Sequence, residues 1–258
     1  MRFTHPAILC YNLFMKEMEQ TYLDFISTVS HELRTPLTSI RGFADTLLTS
    51  GERLTPEQKE KFLRIIKGQS ERLIKLVENL LTITKMQSEE SLLVFKPLNV
   101  KSILEQTVQI IRSQYGAHTF VLEMPDVVPQ IYVDVDKFQQ IMVNLSENAA
   151  KYSPEGSCVT IRAAISESNL SIKVIDNGVG ISQENYDKIF EKFARIDSPL
   201  TRKTEGSGLG LYITKNLVEK MNGKINVKSF AGSTVFEVLF PILTPELQAK
   251  YKMKENQC

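Results

Sequence analysis

Residues 62–83 read FLRIIKGQSERLIKLVENLLTI, and their spacing decides the first half of the fold. Phe62, Ile66, Gln69, Leu73, Leu76, Leu80 and Ile83 recur at alternating steps of four and three, a heptad seam broken only by the polar Gln69. Just ahead, Thr55-Pro56-Glu57 reads as a capped start with proline at the first helical position. Further back, across the break at Ser50-Gly51, apolar residues again recur at helical spacing: Met15, Met18, Tyr22, Phe25, Val29, Leu33, Leu37, Ile40, Ala44 and Leu47. Two long helices joined by a short turn predict an antiparallel hairpin. A two-helix layer closes no core of its own, so its apolar stripe needs a partner. A second copy, giving a four-helix dimer, is the economical solution; the hairpin lying on a downstream domain is the other.

After Gln87 the periodicity changes to short alternating runs separated by helices. Strands are predicted at Leu92–Lys96, Thr119–Glu123, Gln130–Val135, Cys158–Ile165, Leu170–Ile175, Lys224–Ser229 and Thr234–Phe240. Helices are predicted at Val100–Arg112, Lys137–Tyr152, Gln183–Phe190 and Leu209–Met221. Strands in hairpin-like pairs with helices between them argue an α+β sandwich, helices on one sheet face. Arg195–Gly208, poor in apolar residues, reads as a mobile loop, and the tail after Pro241 as polar and frayed. The whole chain has 258 residues, room for two domains of ordinary size. With 31 Lys+Arg against 30 Asp+Glu it lacks the basic excess of a simple nucleic-acid binder. Three distant cysteines (Cys10, Cys158, Cys258) argue against a disulfide framework or a zinc site, and for a reducing compartment. The charge-free run Phe3–Met15 is too short to span a bilayer.

Four segments carry chemistry. Ser30-His31-Glu32-Leu33-Arg34-Thr35-Pro36-Leu37 lies inside the first helix, where proline removes a backbone hydrogen bond at a cost of about 3 kcal/mol. His31 and Thr35 share a face there. On the helix near residue 148, Asn144, Glu147, Asn148 and Lys151 fall on one stripe at about a hundred degrees per residue. Phe138, Met142, Leu145 and Ala149 fall on the neighbouring stripe and face the core. Two asparagines four apart do not serve helix stability. Their carboxamides suit a hard cation and the lysine suits phosphate, unless the stripe is simply a solvated face. Asp176-Asn177-Gly178-Val179-Gly180 follows an apolar strand directly; its glycines permit close approach of backbone to a ligand, and its aspartate suits an exocyclic amine such as that of adenine. Gly206-Ser207-Gly208-Leu209-Gly210-Leu211 opens a helix, where free N–H groups and the helix dipole attract an anion.

In this order and spacing the segments resemble the catalytic core of the sensor histidine kinases of two-component signalling. SHELRTPL is similar to the family's H box, NLSENAAKYSP to the N box, DNGVGI to the G1 box, FEKFARID to the F box and GSGLGLYI to the G2 box. The resemblance spans about Lys16 to Pro241. It implies an α+β chain in which an N-terminal antiparallel helical hairpin, a four-helix bundle in the dimer, precedes an α/β sandwich ATP-binding domain of the Bergerat or GHKL type. The implied divisions are 1–14 as a remnant or signalling-helix entry and 15–88 as the dimerisation and phosphotransfer hairpin. Residues 92–241 become the catalytic ATP-binding domain and 242–258 a polar tail.

By position, the resemblance makes His31 the phosphoacceptor that attacks the γ-phosphate of ATP, Glu32 its general base, and Thr35 the residue that orients water during dephosphorylation of the partner. Asn148 ligates Mg²⁺, Asn144 supports the metal–phosphate geometry and Lys151 contacts phosphate. Tyr152 lines the nucleotide pocket and Asp176 reads the adenine amino group. Gly178, Gly180, Gly206, Gly208 and Gly210 shape the pocket and its hinged lid, and Arg195 steadies the transferring phosphoryl group. Related ATPases of the gyrase and heat-shock type carry a water-activating glutamate where this chain has Asn144, which favours phosphotransfer over hydrolysis. Ser146 replaces the usual N-box leucine, with looser local packing as the consequence. The implied partners are a second copy of the chain and the receiver domain of a response regulator. No direct nucleic-acid contact and no membrane span within the chain are expected, and the chain suits a fragment of a membrane-linked kinase. The implied location is the bacterial cytoplasm or a plastid stroma. The competing readings are a non-catalytic nucleotide-binding scaffold and a GHKL-type ATPase.

Overall fold

A computed structural model describes residues 6–87, 93–196, 206–230 and 232–248, with side chains from residue 23 onward. The chain divides into two units, Met1–Thr82 and Ile83–Cys258.

In the first unit, helix α1 runs Pro6–Ser50 and α2 starts at Pro56 and ends at Gln87, with the one-turn 3₁₀ segment Gly51–Arg53 between them. The first helix thus begins well before Met15. Pro6 stands at its start, where a missing N–H costs nothing, and no further proline follows until Pro36. Helix α2 opens with a reciprocal capping box. Thr55 N–H donates to Gln58 Oε1 (2.9 Å) and Gln58 N–H donates to Thr55 Oγ1 (3.3 Å). The helices are antiparallel: Phe43 packs on Phe62 with ring centroids 5.1 Å apart, and Glu32 meets Arg72. The heptad seam on α2 is the covered face, with Leu76 buried. On α1 the inward position is Pro36, not the expected Leu37, which is 53% exposed. Leu63, Ile74, Val77 and Leu81 stay exposed on the other side of α2, as do Leu23 and Ile26 on α1.

The second unit is built on a five-stranded sheet. Its strands are β2 (Thr119–Glu123), β4 (Cys158–Ser166), β5 (Asn169–Asp176), β6 (Lys224–Phe230) and β7 (Ser233–Pro241). The order is β2-β4-β5-β7-β6, with β2 parallel to β4 and every other pair antiparallel. Strands β1 (Phe95–Leu98) and β3 (Ile131–Asp134) form a separate antiparallel pair. The first strand sits later than the expected Leu92–Lys96 because pairing of Phe95 with Asp134 sets its register; residue 92 lies outside the described residues.

Helices α3 (Val100–Gln114), α4 (Val135–Lys151) and α5 (Gly210–Lys220) cover one face of the sheet. Alternation along β7 shows this: Thr234, Phe236, Val238 and Phe240 are buried, while the residues between them are half-buried. Phe138, Met142, Leu145 and Ala149 of α4 are buried as their spacing requires, with Phe138 edge-on to Phe240 at 5.6 Å. On the opposite face Arg162 pairs with Glu123 across β2 and β4, and Lys173 with Glu237.

Gln183–Phe190 is not the expected α-helix but two 3₁₀ turns, Gln183–Asn185 and Lys188–Phe190. A segment this short gains little from helix propagation, so tertiary contacts decide its form. The Tyr186 hydroxyl accepts from Ser229 N–H at 2.7 Å, and Ile189 and Phe190 are buried. Part of the loop expected to be mobile, residues 197–205, lies outside the described residues, as do 249–258 of the tail. Residues 242 and 243 are tied down, their N–H groups donating to the carbonyls of Ser168 and Gln130.

Candidate active site

The candidate residues fall on both units.

On the hairpin, Pro36 has no N–H to donate, so the Glu32 carbonyl loses its helical partner. Thr35 Oγ1 donates to the neighbouring His31 carbonyl at 3.3 Å. Pro36 turns inward and is buried, and the His31 side chain is exposed to solvent. Glu32 turns away from its neighbour: its Oε2 lies 3.3 Å from Arg72 Nη2 on α2, both side chains about one-fifth exposed. The hairpin therefore presents a free imidazole next to a carboxylate already engaged by a guanidinium.

In the second unit, the C-terminal end of β5, the second half of α4 and the start of α5 surround a cavity of about 160 Å³. Asn148, Tyr152, Asp176, Gly180 and Arg195 line it, with apolar walls from Ile181, Ile189, Leu211 and Phe236. Asp176 ends β5 on the helix-covered face and is buried. Its Oδ1 accepts from Gly178 N–H at 2.8 Å, and Thr234, its register partner on β7, donates to it as well. Ser233 Oγ holds the Asp176 carbonyl at 2.8 Å. Burial outweighs these donors and pushes the carboxyl up to about 6.

The glycines serve close approaches of different kinds. A Cβ on Gly178 would lie 2.4 Å from the Tyr152 carbonyl, and Val179 N–H donates to that same oxygen at 3.3 Å, lacing the turn to the end of α4. Gly180 has φ +76°, and its neighbour Ile181 donates N–H to Ser229 Oγ at 2.9 Å. Gly208 has φ +68°, and its Cβ would stand 2.6 Å from the Phe193 carbonyl carbon. Gly206 has more room, the Tyr152 hydroxyl lying 3.9 Å from its Cβ position. At Gly210 a Cβ would come within 2.4 Å of Asn144 Oδ1.

Asn144 and Lys151 are not on the cavity wall. Asn144 Nδ2 donates to Thr214 Oγ1 at 2.8 Å, and Lys151 Nζ lies 3.7 Å from the buried Glu147. Glu147 in turn helps burial hold the Tyr115 phenol well above its usual range. The Tyr152 phenol is raised by burial, with Arg195 opposing. Thr214, Thr234 and Ser229 bear on the site and escaped sequence reading. Only Thr234 carried a signal, as the cross-strand neighbour of Asp176, and that needed the register.

A carboxamide oxygen at Asn148 is a hard donor, and no group of three or more His, Cys, Asp or Glu side chains that could hold a metal occurs among the described residues. That donor set fits Mg²⁺ carried on phosphate oxygens with one protein ligand, not an all-protein cage.

Residues 133–244 match the family of histidine kinase-, DNA gyrase B- and HSP90-like ATPases, and residues 22–89 match the His Kinase A phospho-acceptor domain. The sensor histidine kinase WalK of Bacillus subtilis is 34% identical over 220 residues, covering 84% of this chain and 36% of WalK. The sensor protein KdpD of Clostridium acetobutylicum is 31% identical over 226 residues, covering 87% of this chain and 25% of KdpD. The chain thus spans about a quarter to a third of the length of these relatives. Among solved structures, histidine kinase ThkA, in a complex with response regulator TrrA, superposes with a TM-score of 0.70 at 24% identity. The superposition covers 94% of this chain and 68% of ThkA, and it speaks for the fold.

Proposed function

The chain belongs to the sensor histidine kinases, whose catalytic core it carries in its phospho-acceptor and ATPase domains, and on that premise we propose that it phosphorylates His31 from ATP and passes the phosphoryl group to an aspartate of a response regulator. The observation that carries the reading is the cavity: a buried carboxylate, Asp176, held by Gly178 and Thr234, with Asn148 and Arg195 on the same walls. A carboxylate fixed by N–H and O–H donors retains lone pairs for an exocyclic amine, which adenine carries at its six-position, where guanine has an oxygen. Arg195, exposed at the cavity edge, suits the charge of a transferring phosphoryl group. Mg²⁺, when bound on the nucleotide, neutralises phosphate charge, and Asn148 offers it a carboxamide oxygen.

At His31 one imidazole nitrogen attacks the γ-phosphorus, a P–N bond forms and the P–O bond to ADP breaks. The proton of the other ring nitrogen is held by Glu32, which must first leave Arg72. The P–N bond is labile, so transfer to a carboxylate runs onward. Thr35, one turn along on the same face, suits the positioning of water for the reverse duty, dephosphorylation of the regulator. The chain acts as a homodimer: Leu63, Ile74, Val77 and Leu81 form an exposed apolar stripe that a second hairpin would cover. No helix among the described residues is long and apolar enough to cross a membrane. The need for ATP and a receiver domain suits the cytoplasm, and the partial coverage of the relatives suits a core taken from a longer kinase.

Incubation with Mg-ATP labelled on the γ-phosphate tests this. Acid-labile, alkali-stable label is expected on the wild type and absent from His31→Gln, whose nucleotide affinity is unchanged. Label persisting in His31→Gln removes the acceptor assignment. Fast ATP turnover independent of His31 would favour a superfamily ATPase instead.

A further inference from the structure

The Asn144 carboxamide is gripped at both ends. Its Nδ2 donates to Thr214 Oγ1 at 2.8 Å, and Thr214 is 1% exposed. Its Oδ1 comes so close to Gly210 that a Cβ there would sit 2.4 Å away. Rotating the amide would turn its N–H groups toward Gly210 and away from Thr214, at the cost of a part-buried hydrogen bond. The two contacts join different elements. Asn144 lies one helical turn before Asn148, a cavity-lining residue of α4, while Gly210 opens α5 and Thr214 lies one turn further in; the start of a helix is where backbone N–H groups suit an anion.

We propose that Thr214 is a positioning residue that, through Asn144 and Gly210, locks the cation-side helix to the phosphate-side helix and so sets the distance between Asn148 and the start of α5. The proposal rests on the kinase reading above for its consequence, and on geometry alone for the lock. It also gives Gly210 a reason other than approach to phosphate: position 210 is glycine to admit the asparagine. The resemblance gives Asn144 a place at the metal and phosphates; the lock would add a second duty, through α5.

The test uses the full chain and Mg-AMPPNP as the probe. Thr214→Val keeps the shape and removes the acceptor; Thr214→Ser keeps the hydroxyl. Thr214→Val is expected to raise Kd and the KM for ATP about tenfold with kcat little changed, the size of one lost buried hydrogen bond. Thr214→Ser is expected to restore affinity to within about twofold of wild type. In an Asn144→Ala background, Thr214→Val should add nothing, because the partner is already gone. Wild-type affinity in Thr214→Val, or costs that simply add in the double variant, overturns the proposal. A ligand-free readout separates this from the kinase reading. The Asn144 side-chain amide should exchange slowly by NMR in wild type and Thr214→Ser, and fast in Thr214→Val. Equal rates in wild type and Thr214→Val overturn the lock whatever the chain does with nucleotide. A protected amide in a wild-type chain that does not bind Mg-AMPPNP overturns the kinase reading and the consequence for nucleotide geometry, and upholds the lock.

Discussion

Replacing Asp176 by asparagine should make the protein more stable and less able to bind nucleotide, and the balance should depend on pH. The Asp176 carboxyl is raised from 3.8 to about 6, chiefly because burial penalises its charge. At about 1.36 kcal/mol per pKa unit, keeping it ionised in the folded state costs about 3 kcal/mol near neutral pH. Its folded pKa lies above the unfolded one, so the favourable contribution is complete below 3.8 and lost as the pH rises through about 6. Asparagine carries no charge, and its oxygen can still accept from Gly178 N–H. Asp176→Asn is therefore expected to exceed wild type by up to about 3 kcal/mol at pH 8 and to match it near pH 4. The added N–H group would face the adenine amine, donor against donor, and nucleotide affinity should fall. Urea unfolding of both proteins at half-unit steps from pH 4 to 8, read by circular dichroism, gives the difference directly. A difference that stays flat across that range, or an asparagine variant less stable at pH 8, would refute the claim that this carboxylate is held charged against its own desolvation. In wild type the adenosine affinity should also weaken below about pH 6, as the carboxylate takes up its proton.

Three further outcomes follow from the geometry. Arg72→Met should cost the hairpin about 1 kcal/mol, the worth of one ion pair with its side chains about one-fifth exposed, while raising the autophosphorylation rate a few-fold by releasing Glu32; a slower reaction would show that Arg72 holds Glu32 in its working position. Gly208→Ala meets both a left-handed backbone and the Phe193 main chain, and should cost about 1–3 kcal/mol or a large loss of nucleotide affinity, whereas Gly206→Ala has space and should be near neutral; equal effects in a urea and binding series would contradict this. Ser146 is fully buried and its hydroxyl has no hydrogen-bond partner among the described residues, so Ser146→Ala should gain about 1 kcal/mol in urea unfolding; a loss would mean that the hydroxyl is satisfied in solution.

Ser146 also shows how far a sequence can be read. A serine at an N-box position that resembles leucine elsewhere pointed to a packing defect, and the structure adds its character, an orphaned hydroxyl in a close-packed interior. The inward face of α4 was legible because Phe138, Met142, Leu145 and Ala149 follow the helix period. Leu37 was misplaced because the period continues through Pro36 as if it were an ordinary residue. For Asn144 and Lys151, spacing puts both on one stripe, but their contacts with Thr214 and Glu147 are found only by packing.

By itself the sequence determined what local chemistry can determine: two helices with a heptad seam, a capped start at Thr55, the strand boundaries to within a few residues, and the glycine-rich turns. Those follow from side-chain period and backbone freedom, which act between residues close in the chain. Only the tertiary structure decided that Thr234 lies opposite Asp176, that Ser229 holds the Gly180–Ile181 turn, and that Glu32 is turned toward Arg72. Each of these joins residues 40 or more apart, where strand register and helix packing, not local propensity, choose the partner.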